Sequence, residues 1–590
     1  MTNIRFVYSK FFSVIRTRLN RPQYIILVAI LTGLASGMVA VLLKTLVHYF
    51  QKSVQTQSWF YLILPTLGLV LTVIIVRIFF KGPFDKGIGM VLRAIAKKSS
   101  FIPTANIYKH VVTSSLTVGF GGSAGLEAPI VATGASYGSL FGRLNDLNYQ
   151  ERTLMIACGS AAGISAVFNA PIAGVIFAIE VLLTETVVSY FIPLIIASVS
   201  GVLCSKIILE ESILFNFALK QDFNYANVPY YIVLGVMAGF ISLYYAKSFK
   251  KTESVIHQMR VNPYIKAIGG GMLLALFFYF LPPLFGEGYT SVSHLANSNI
   301  EGITSNNLFD ISGNNFSLLI FIGSIMLLKP IAAAITIGAG GNGGNFAPSL
   351  FVGSSLGFFA SKIANSSGWL KLPEGNFTLV GMAGVLSGVM YCPLTAIFLI
   401  AEITNGYGLF IPLMIVSSIS FFIVRHFEPY SMELKKLALE GEVFTHKKEE
   451  NILTSIQLDE ILADNYTMIK INQKLSDLVD IIKKSEKNIF PVVDDEEKFV
   501  GLVELNDIKM LLFDVGKHDS TLIKNILKKP REIIYIGESM KKIMEKFDVS
   551  QTWYLPVLTK ERKFVSFVSK TRLFEKYREI ILAQSDIYED

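Results

Sequence analysis

The stretch GGSAGLEAPIVATGASYGSLFGR, residues 121–143, decides the fold because it recurs later in the chain. The second copy is GGNGGNFAPSLFVGSSLGFFAS, residues 340–361, and five Gly, Ala and Pro positions match at a constant offset of 219. Another pair follows at an offset of 222, in which NAPIAGVIFAIE, residues 169–180, matches YCPLTAIFLIAE, residues 391–402. The chain is therefore internally duplicated, and the duplicated parts are apolar helices interrupted by glycine and proline.

The charge distribution separates an apolar front from a polar tail. The chain has 590 residues, 52% hydrophobic and only 17% charged, whereas about a quarter of an ordinary globular chain is charged. The first 440 residues hold 29 basic and 18 acidic side chains, and residues 441–590 hold 24 and 27. The front must lie in a lipid bilayer, which excludes a purely soluble or disordered protein. The basic residues are not massed into one patch, so no nucleic-acid partner is expected.

The tail repeats as well, at an offset of 65. FPVVDDEEKFVGLVELNDI, residues 490–508, matches LPVLTKERKFVSFVSKTRL, residues 555–573. Each copy follows a short strand and an amphipathic helix, and then reads as two β-rich runs around a polar turn with another helix. This pattern predicts a tandem α/β module.

These patterns predict the domain organisation. We expect an all-α polytopic membrane domain with an inverted internal repeat and broken helices, followed by a cytoplasmic α/β tandem domain. Basic residues precede the first apolar run and place the N-terminus in the cytoplasm, together with the C-terminus, and a bacterial inner membrane is the expected location. The expected boundaries are an N-terminal segment at 1–23, the membrane domain at 24–440, a linker at 441–452, and the two repeats at 453–515 and 518–585.

The interrupted helices predict an anion site. Non-helical backbone at membrane depth is tolerated only where it is buried in protein or lines a wet cavity. A helix N-terminus offers unpaired N–H groups and the positive end of the helix dipole. The glycine-rich turns before Pro129 and Pro348 therefore predict two N-termini that bind an anion without a full positive charge. The alternative, in which the glycines only permit close helix packing, is less favoured because the turns recur in matched order.

With these features, the sequence resembles the CLC family of chloride channels and anion/proton exchangers, with a C-terminal pair of CBS domains. The resemblance covers the chain from about Tyr24 to Tyr577. GLEAP, residues 125–129, is similar to the family's G-R/K-E-G-P segment, and GNFAP, residues 344–348, is similar to its G-x-F-x-P segment. FNAPIAGVIFAIE, residues 168–180, is a further close match. The resemblance implies a homodimer in which each subunit has its own pathway for chloride or other small anions.

The resemblance also assigns roles to individual residues. It implies that Glu127 is the gating glutamate, whose carboxylate competes with anions for the pathway. A lone carboxylate beside helix N-termini is attracted to them like any anion, and protonation removes that attraction. Neutral backbone donors suit a conducting pathway, because the anion is then held weakly enough to leave. The expected pathway includes Gly125, Leu126, Asn345, Phe346 and Ala347.

Two departures from the family pattern affect the expected pathway. The family's G-S-G-I-P segment aligns with DKGIG, residues 85–89, so that Lys86, followed by Gly87, replaces the anion-binding serine. Lys86 could hold an anion, pair with Glu127, or extend away as a flanking residue. The family's pathway tyrosine aligns with Glu433 in one register and with Tyr430 in another. The first register is favoured, and it sets Glu433 beside Lys86 as an ion pair.

A third departure concerns protons. In the family's exchangers a second glutamate directly follows the glutamate of the F-N-A-P segment, but here Val181 follows Glu180. Valine cannot carry a proton, so a passive chloride channel is favoured over a chloride/proton antiporter, although some exchangers lack this glutamate. Glu180 itself is expected to be structural, because its repeat partner Glu402 occupies the matching place.

The tail departs from the nucleotide-binding pattern of CBS pairs. The family's nucleotide-binding pattern has a hydroxyl-bearing residue and an aspartate after the strand. The first repeat keeps Asp507 without the hydroxyl, and the second keeps Ser569 without the aspartate. An adenine nucleotide is therefore not the expected cofactor, and a dimerising or gate-coupling tail is favoured.

One alternative of another class stays open, a degenerate pore that serves as a membrane-anchored CBS ligand sensor. An enzyme is not expected, because the seven histidines are dispersed and form no HExxH motif. No metal site is expected either, since the three cysteines fall in apolar segments without a CxxC spacing.

Overall fold

The computed structural model describes residues 18–55, 60–80, 82, 86–97, 100–183, 190–208, 221, 223–304, 315–366, 368, 370–404, 406–439, 456, 458–463 and 466–586. Contacts within the chain divide it into two units, residues 1–443 and 444–590. The expected linker at 441–452 and residues 1–17 of the expected N-terminal segment lie outside the described residues.

The first half of the membrane unit contains helices of very different length. Its elements are α1 Arg21–Gln55, α2 Phe60–Ile78, α3 Gly87–Lys97, α4 Ala105–Gly119, α5 Glu127–Leu144, α6 Tyr149–Phe168, α7 Pro171–Phe177 and α8 Phe191–Ile208. A π-helical turn, Ala178–Leu182, extends α7. The break between α6 and α7 lies at Asn169, whose left-handed φ of 52° ends the first helix before the proline that starts the second.

The second half repeats this plan. Its elements are α9 Val228–Gln258, α10 Pro263–Phe280, α11 Tyr289–Ala296, α12 Ile300–Thr304, α13 Asn315–Gly338, α14 Phe346–Ser366, α15 Glu374–Met390, α16 Pro393–Ile403, α17 Phe410–Phe427 and α18 Met432–Leu439. Tyr391 ends α15 with a left-handed φ of 61°, at the repeat position equivalent to that of Asn169. Short 3₁₀ turns at Tyr225–Asn227 and Pro282–Leu284 complete the unit.

Seven of the described helical stretches are long and apolar enough to cross a membrane. They are Arg21–Gln51, Phe191–Ile208, Tyr225–Gln258, Pro263–Phe280, Asn315–Gly338, Phe346–Ser366 and Phe410–Lys435. Shorter apolar helices, including Pro171–Leu182 and Pro393–Ile403, lie among them. This mixture of full spans and short helices confirms the predicted membrane domain with broken helices.

Two glutamates join the halves by capping each other's short helix. Glu180, in the turn after α7, accepts hydrogen bonds from the N–H groups of Leu394 and Thr395 at 3.1 and 2.9 Å and from the Thr395 hydroxyl at 2.7 Å. Glu402, in α16, accepts from the N–H groups of Ile172 and Ala173 at 3.0 and 2.8 Å. Each carboxylate satisfies N–H groups that the other helix's first turn leaves unpaired.

The second unit consists of two copies of one α/β motif. The first has α19 Leu458–Ile461, β1 Ile469–Lys470, α20 Leu475–Lys484, β2 Ile489–Val493, β3 Phe499–Glu504 and α21 Leu505–Leu512. The second has β4 Ile534–Tyr535, α22 Met540–Ser550, β5 Tyr554–Leu558, β6 Phe564–Ser569 and α23 Lys570–Asp586. Short 3₁₀ turns, Val515–Lys517 and Ile523–Asn525, lie between the copies.

The two sheets have the same topology. In each, the first strand pairs parallel with the second, and the second pairs antiparallel with the third. The register shifts at equivalent places, Val492/Val493 in the first sheet and Val557/Leu558 in the second. The rings of Phe499 and Phe564, one from each sheet, stack at 5.9 Å. These features confirm the tandem α/β module.

Candidate functional site

The N-termini of α5 and α14 meet at one point in the membrane unit. Just before the helices, Gly125 and Gly344 exchange two backbone hydrogen bonds, of 2.9 and 2.8 Å, as an antiparallel bridge. A Cβ atom on Gly125 would lie 2.1 Å from the Glu127 carboxylate, and one on Gly344 would lie 2.6 Å from the Ala128 Cβ. Only glycine permits this approach, which brings the positive ends of two helix dipoles together.

Glu127, the first residue of α5, places its carboxylate between these two N-termini. The side chain is buried. One carboxylate oxygen accepts a hydrogen bond from the Tyr289 hydroxyl, and the other accepts from the Ala347 N–H at 3.4 Å. The carboxylate thus accepts from a backbone N–H at a helix N-terminus, which is the kind of donor that binds anions.

The side chains around this point are either apolar or held by a hydrogen bond. Phe346 is buried, and its ring centroid lies 5.5 Å from that of Phe168 and 6.4 Å from that of Phe177. The Asn345 side chain accepts a hydrogen bond of 3.1 Å from the Tyr245 hydroxyl. An anion here would meet backbone N–H groups and aromatic walls, with no lysine or arginine on the two helix N-termini themselves.

A second buried carboxylate lies beside Glu127, and the sequence analysis missed it. Glu287 accepts a hydrogen bond of 3.2 Å from the N–H of Leu126, the residue just before Glu127. Two buried lysines interact electrostatically with it: Lys44 from α1 and Lys329 from α13. Both lysines interrupt apolar runs, which was a signal available in the sequence, since an ionisable residue inside a membrane span marks a candidate site.

Lys86 and Glu433 contact elements other than the start of α5. The Lys86 ammonium donates hydrogen bonds of 3.0 and 2.9 Å to the carbonyls of Gly340 and Gly341, in the turn that leads to α14. Gly87 follows with a φ of +71° and begins α3. A Cβ atom on Gly89 would lie 3.3 Å from a Glu433 carboxylate oxygen, so α18 packs its first turn against that of α3.

Tyr430 precedes α18 and is 36% exposed, whereas Glu433 is half-buried against α3. The lysine also uses a pair of acceptors that none of the three sequence-based possibilities included. The backbone carbonyls of Gly340 and Gly341 became its partners only through the tertiary fold.

Val181 lies in the π-helical turn after α7, next to the capping residue Glu180. Its side chain is half-buried and carries no titratable group. The carboxylate of Glu180 is taken up by three donors of α16, which supports the structural interpretation of that residue.

In the second unit, both candidate ligand residues already have hydrogen-bond partners within that unit. The Asp507 carboxylate, in the first turn of α21, accepts a hydrogen bond of 2.6 Å from Lys528. The Ser569 hydroxyl accepts from the N–H of Arg572 at 3.0 Å and so caps the start of α23.

Comparison with known proteins places the membrane unit in a family. Residues 68–425, more than half of the chain, match the family model described as voltage gated chloride channel, and residues 458–514 match the CBS domain model. The chain is 28% identical over 67% of its length to an uncharacterised protein of Methanocaldococcus jannaschii, 91% of which is covered. It is 25% identical over 69% of its length to the chloride channel protein CLC-f of Arabidopsis thaliana, 58% of which is covered.

Solved structures share the fold. A CLC-type fluoride/proton antiporter superposes with a TM-score of 0.58 at 23% identity, over 70% of this chain and 97% of that one. A eukaryotic CLC transporter superposes with a TM-score of 0.60 at 15% identity, over 93% and 97% of the two chains. The match of residues 68–425 to the family model, together with the shared fold, shows that the chain belongs to the CLC family of anion channels and transporters, and the match of residues 458–514 shows that it carries a C-terminal CBS region.

Proposed function

We propose that this protein conducts chloride or other small anions passively across the membrane and that Glu127 is the gate. The observation that carries the proposal is the position of the Glu127 carboxylate, which accepts the Ala347 N–H where the N-termini of α5 and α14 meet. An anion that used this donor would have to displace the carboxylate. The described arrangement is therefore the closed state of the proposed pathway.

Protonation provides the means of opening. A neutral carboxyl group has lost the charge that attracts it to the helix N-termini, whereas the anion keeps its own charge. The Ala347 N–H then becomes available, and the Phe346 ring provides an apolar wall beside it. Binding through neutral backbone donors stays modest, which conduction requires.

Passive conduction is preferred because of Val181. An antiporter must move protons through the protein in step with anions, and Val181 stands where the resemblance implies a proton-carrying glutamate. The neighbouring carboxylate, that of Glu180, accepts hydrogen bonds from three donors at the N-terminus of α16. Anion/proton antiport is the second candidate, and what favours it is that two proteins of the same fold are described as a fluoride/proton and a slow Cl⁻/H⁺ antiporter.

Lys86 and Glu433 are proposed to shape the rate of conduction. The ammonium group of Lys86 holds the turn before α14 through two carbonyls, and Glu433 lies against the following helix. A fixed charge at the approach to an anion site concentrates anions but slows their release. Tyr430, which is more exposed, is the alternative contributor.

The assembly and location are further proposals. We expect a homodimer with one pathway per subunit, both termini in the cytoplasm, and a bacterial inner membrane as the location. The CBS unit is proposed to couple to the gate or to the dimer contact. Adenine nucleotide binding is not proposed, because Asp507 and Ser569 are engaged with Lys528 and Arg572.

The test is flux from liposomes that contain the purified full-length protein. Chloride efflux is followed with an electrode while external pH is recorded under an imposed chloride gradient. We expect chloride efflux without uphill proton movement. Uphill proton movement that disappears in Glu127→Gln would establish antiport instead. Absence of anion flux at every pH, with a ligand bound by the CBS unit, would establish the third alternative, a membrane-anchored sensor with a degenerate pore.

A further inference from the structure

The structure contains a second buried acidic residue that the proposed gate does not use. Glu287 lies in the short connection between the 3₁₀ turn Pro282–Leu284 and α11, two residues before Tyr289. Its carboxylate accepts the N–H of Leu126, and Tyr289 donates its hydroxyl to Glu127. One tetrapeptide, Gly286–Tyr289, thus contacts both residues at the start of α5.

Two lysines from distant helices enclose Glu287. Lys329 is fully buried in α13, and its ammonium donates to the carbonyls of Leu284 and Gly286 at 3.1 and 2.8 Å, both of which lie just before Glu287 in the chain. Lys44, buried in α1, donates to the Val167 carbonyl at 3.1 Å.

The charged and titratable groups that face Glu287 come from four helices. They are Glu127 on α5, Tyr289 on α11, Lys44 on α1 and Lys329 on α13. The cluster is formally neutral when both carboxylates are ionised and both lysines are charged. Uptake of one proton leaves it with a charge of +1, which an anion at the N-termini of α5 and α14 would offset.

We propose that Glu287 is a second proton-binding residue, which shares a proton with Glu127 and sets the pH at which the gate opens. This proposal rests on the gating role of Glu127 proposed above. In the step, the proton leaves the Glu287 carboxyl group and binds the Glu127 carboxylate. Ionised Glu287 is then stabilised by the Leu126 N–H and the two lysines, while neutral Glu127 releases the Ala347 N–H to the anion.

The sign of the effect follows from electrostatics. In a buried site, a negative charge near Glu127 favours its protonated form, and a nearby positive charge disfavours it. Glu287→Gln removes the negative charge, yet the amide oxygen can still accept the Leu126 N–H. The two lysines then act on Glu127 without compensation, so both effects favour ionised Glu127. Lys44→Met and Lys329→Met remove positive charge and have the opposite effect.

The experiment measures chloride efflux from liposomes across a series of pH values, with full-length variants checked by size-exclusion chromatography. Glu287→Gln should shift the pH of half-maximal flux to the acid side by about one unit, and Lys44→Met should shift it to the alkaline side. Glu301→Gln, which removes an exposed carboxylate from α12, is the matched control and should leave the profile unchanged. A Glu287→Gln profile that coincides with the wild type overturns the proposal.

A further variant separates this proposal from the gate itself. In a Glu127→Gln background, Glu287→Gln should cause no additional shift, because Glu287 acts through Glu127. If Glu127→Gln alone keeps the wild-type pH dependence, the gating role fails as well. If Glu127→Gln abolishes the pH dependence but Glu287→Gln and Lys44→Met do not shift it, only the role of Glu287 fails. Should Glu287→Gln yield no folded protein, Lys44→Met decides, and an acid or absent shift overturns the proposal.

Discussion

The substitution Glu127→Gln tests the gate, because it removes the charge while leaving a side chain of nearly the same shape. In the structure the carboxylate accepts two hydrogen bonds, from the Tyr289 hydroxyl and from the Ala347 N–H at 3.4 Å. A glutamine oxygen can accept the same two donors. What disappears is the part of each interaction that depends on the negative charge.

The magnitude follows from these two contacts. A hydrogen bond to a charged group contributes about 1.5–3 kcal/mol and a neutral one about 0.5–1.5 kcal/mol, so the charge contributes roughly 1 kcal/mol to each. Two contacts give about 2 kcal/mol that hold the carboxylate in the pathway. If displacement of this side chain limits conduction, Glu127→Gln should raise chloride flux at neutral pH by about 30-fold.

The assay is chloride efflux from liposomes at matched protein density, measured at several pH values. Wild-type flux should rise as pH falls, because protonation neutralises Glu127 and weakens its hydrogen bond with the Ala347 N–H. Flux through Glu127→Gln should be high and nearly independent of pH. The exposed-site variant Glu301→Gln should behave like the wild type. A folded Glu127→Gln protein whose flux is lower than that of the wild type, or still rises with acid, would refute the reasoning.

Other predictions concern residues away from the gate. Glu180→Ala should lower the free energy of unfolding by about 3 kcal/mol and Glu402→Ala by about 2 kcal/mol. The reason is that the two substitutions leave three and two hydrogen-bond donors without a carboxylate, at about 1 kcal/mol each. Thermal unfolding in detergent measures the difference, and a larger loss for Glu402→Ala than for Glu180→Ala would contradict the prediction. Lys86→Ser should change chloride flux by at least about twofold, since it removes a positive charge beside the proposed pathway. Unchanged flux and unchanged anion selectivity would contradict this prediction and would assign Lys86 a purely structural role in the turn before α14. Lys528→Ala breaks a largely exposed ion pair with Asp507 and should cost less than about 1 kcal/mol of stability, so that a clear fall in the melting temperature would argue against this estimate.

The duplicated part of the fold could be predicted from the sequence because it leaves a repeated pattern. The matched turns before Pro129 and Pro348 predicted two helix N-termini, and Gly125 and Gly344 do bring α5 and α14 together in the structure. The tail was predictable for the same reason, since two copies of one motif with the same polar turn gave two sheets of the same topology. Repetition supplies evidence that a single element lacks.

The remaining part of the site has no repeat partner. Glu287 lies in the short connection before α11, and Tyr289 begins that helix. The position of both depends on how α10 and α13 pack, so their proximity to Glu127 could not be predicted from sequence spacing. The contacts of Lys86 depend in the same way on the path of the turn before α14. Contacts between segments far apart in sequence are set by tertiary packing, which local patterns do not encode.

Lys44 and Lys329 show where a sequence signal existed and was not used. Each interrupts an apolar run, and a charge in such a run is costly unless the fold provides partners. The structure provides backbone carbonyls for both ammonium groups and places Glu287 within electrostatic range of both. Two isolated lysines in separate helices are therefore a sequence signal for a buried acidic partner in the same domain, although the sequence analysis made no such prediction. The acidic residue that the fold brings to them lies beside the gate, which links the two charges to the proposed control of anion entry.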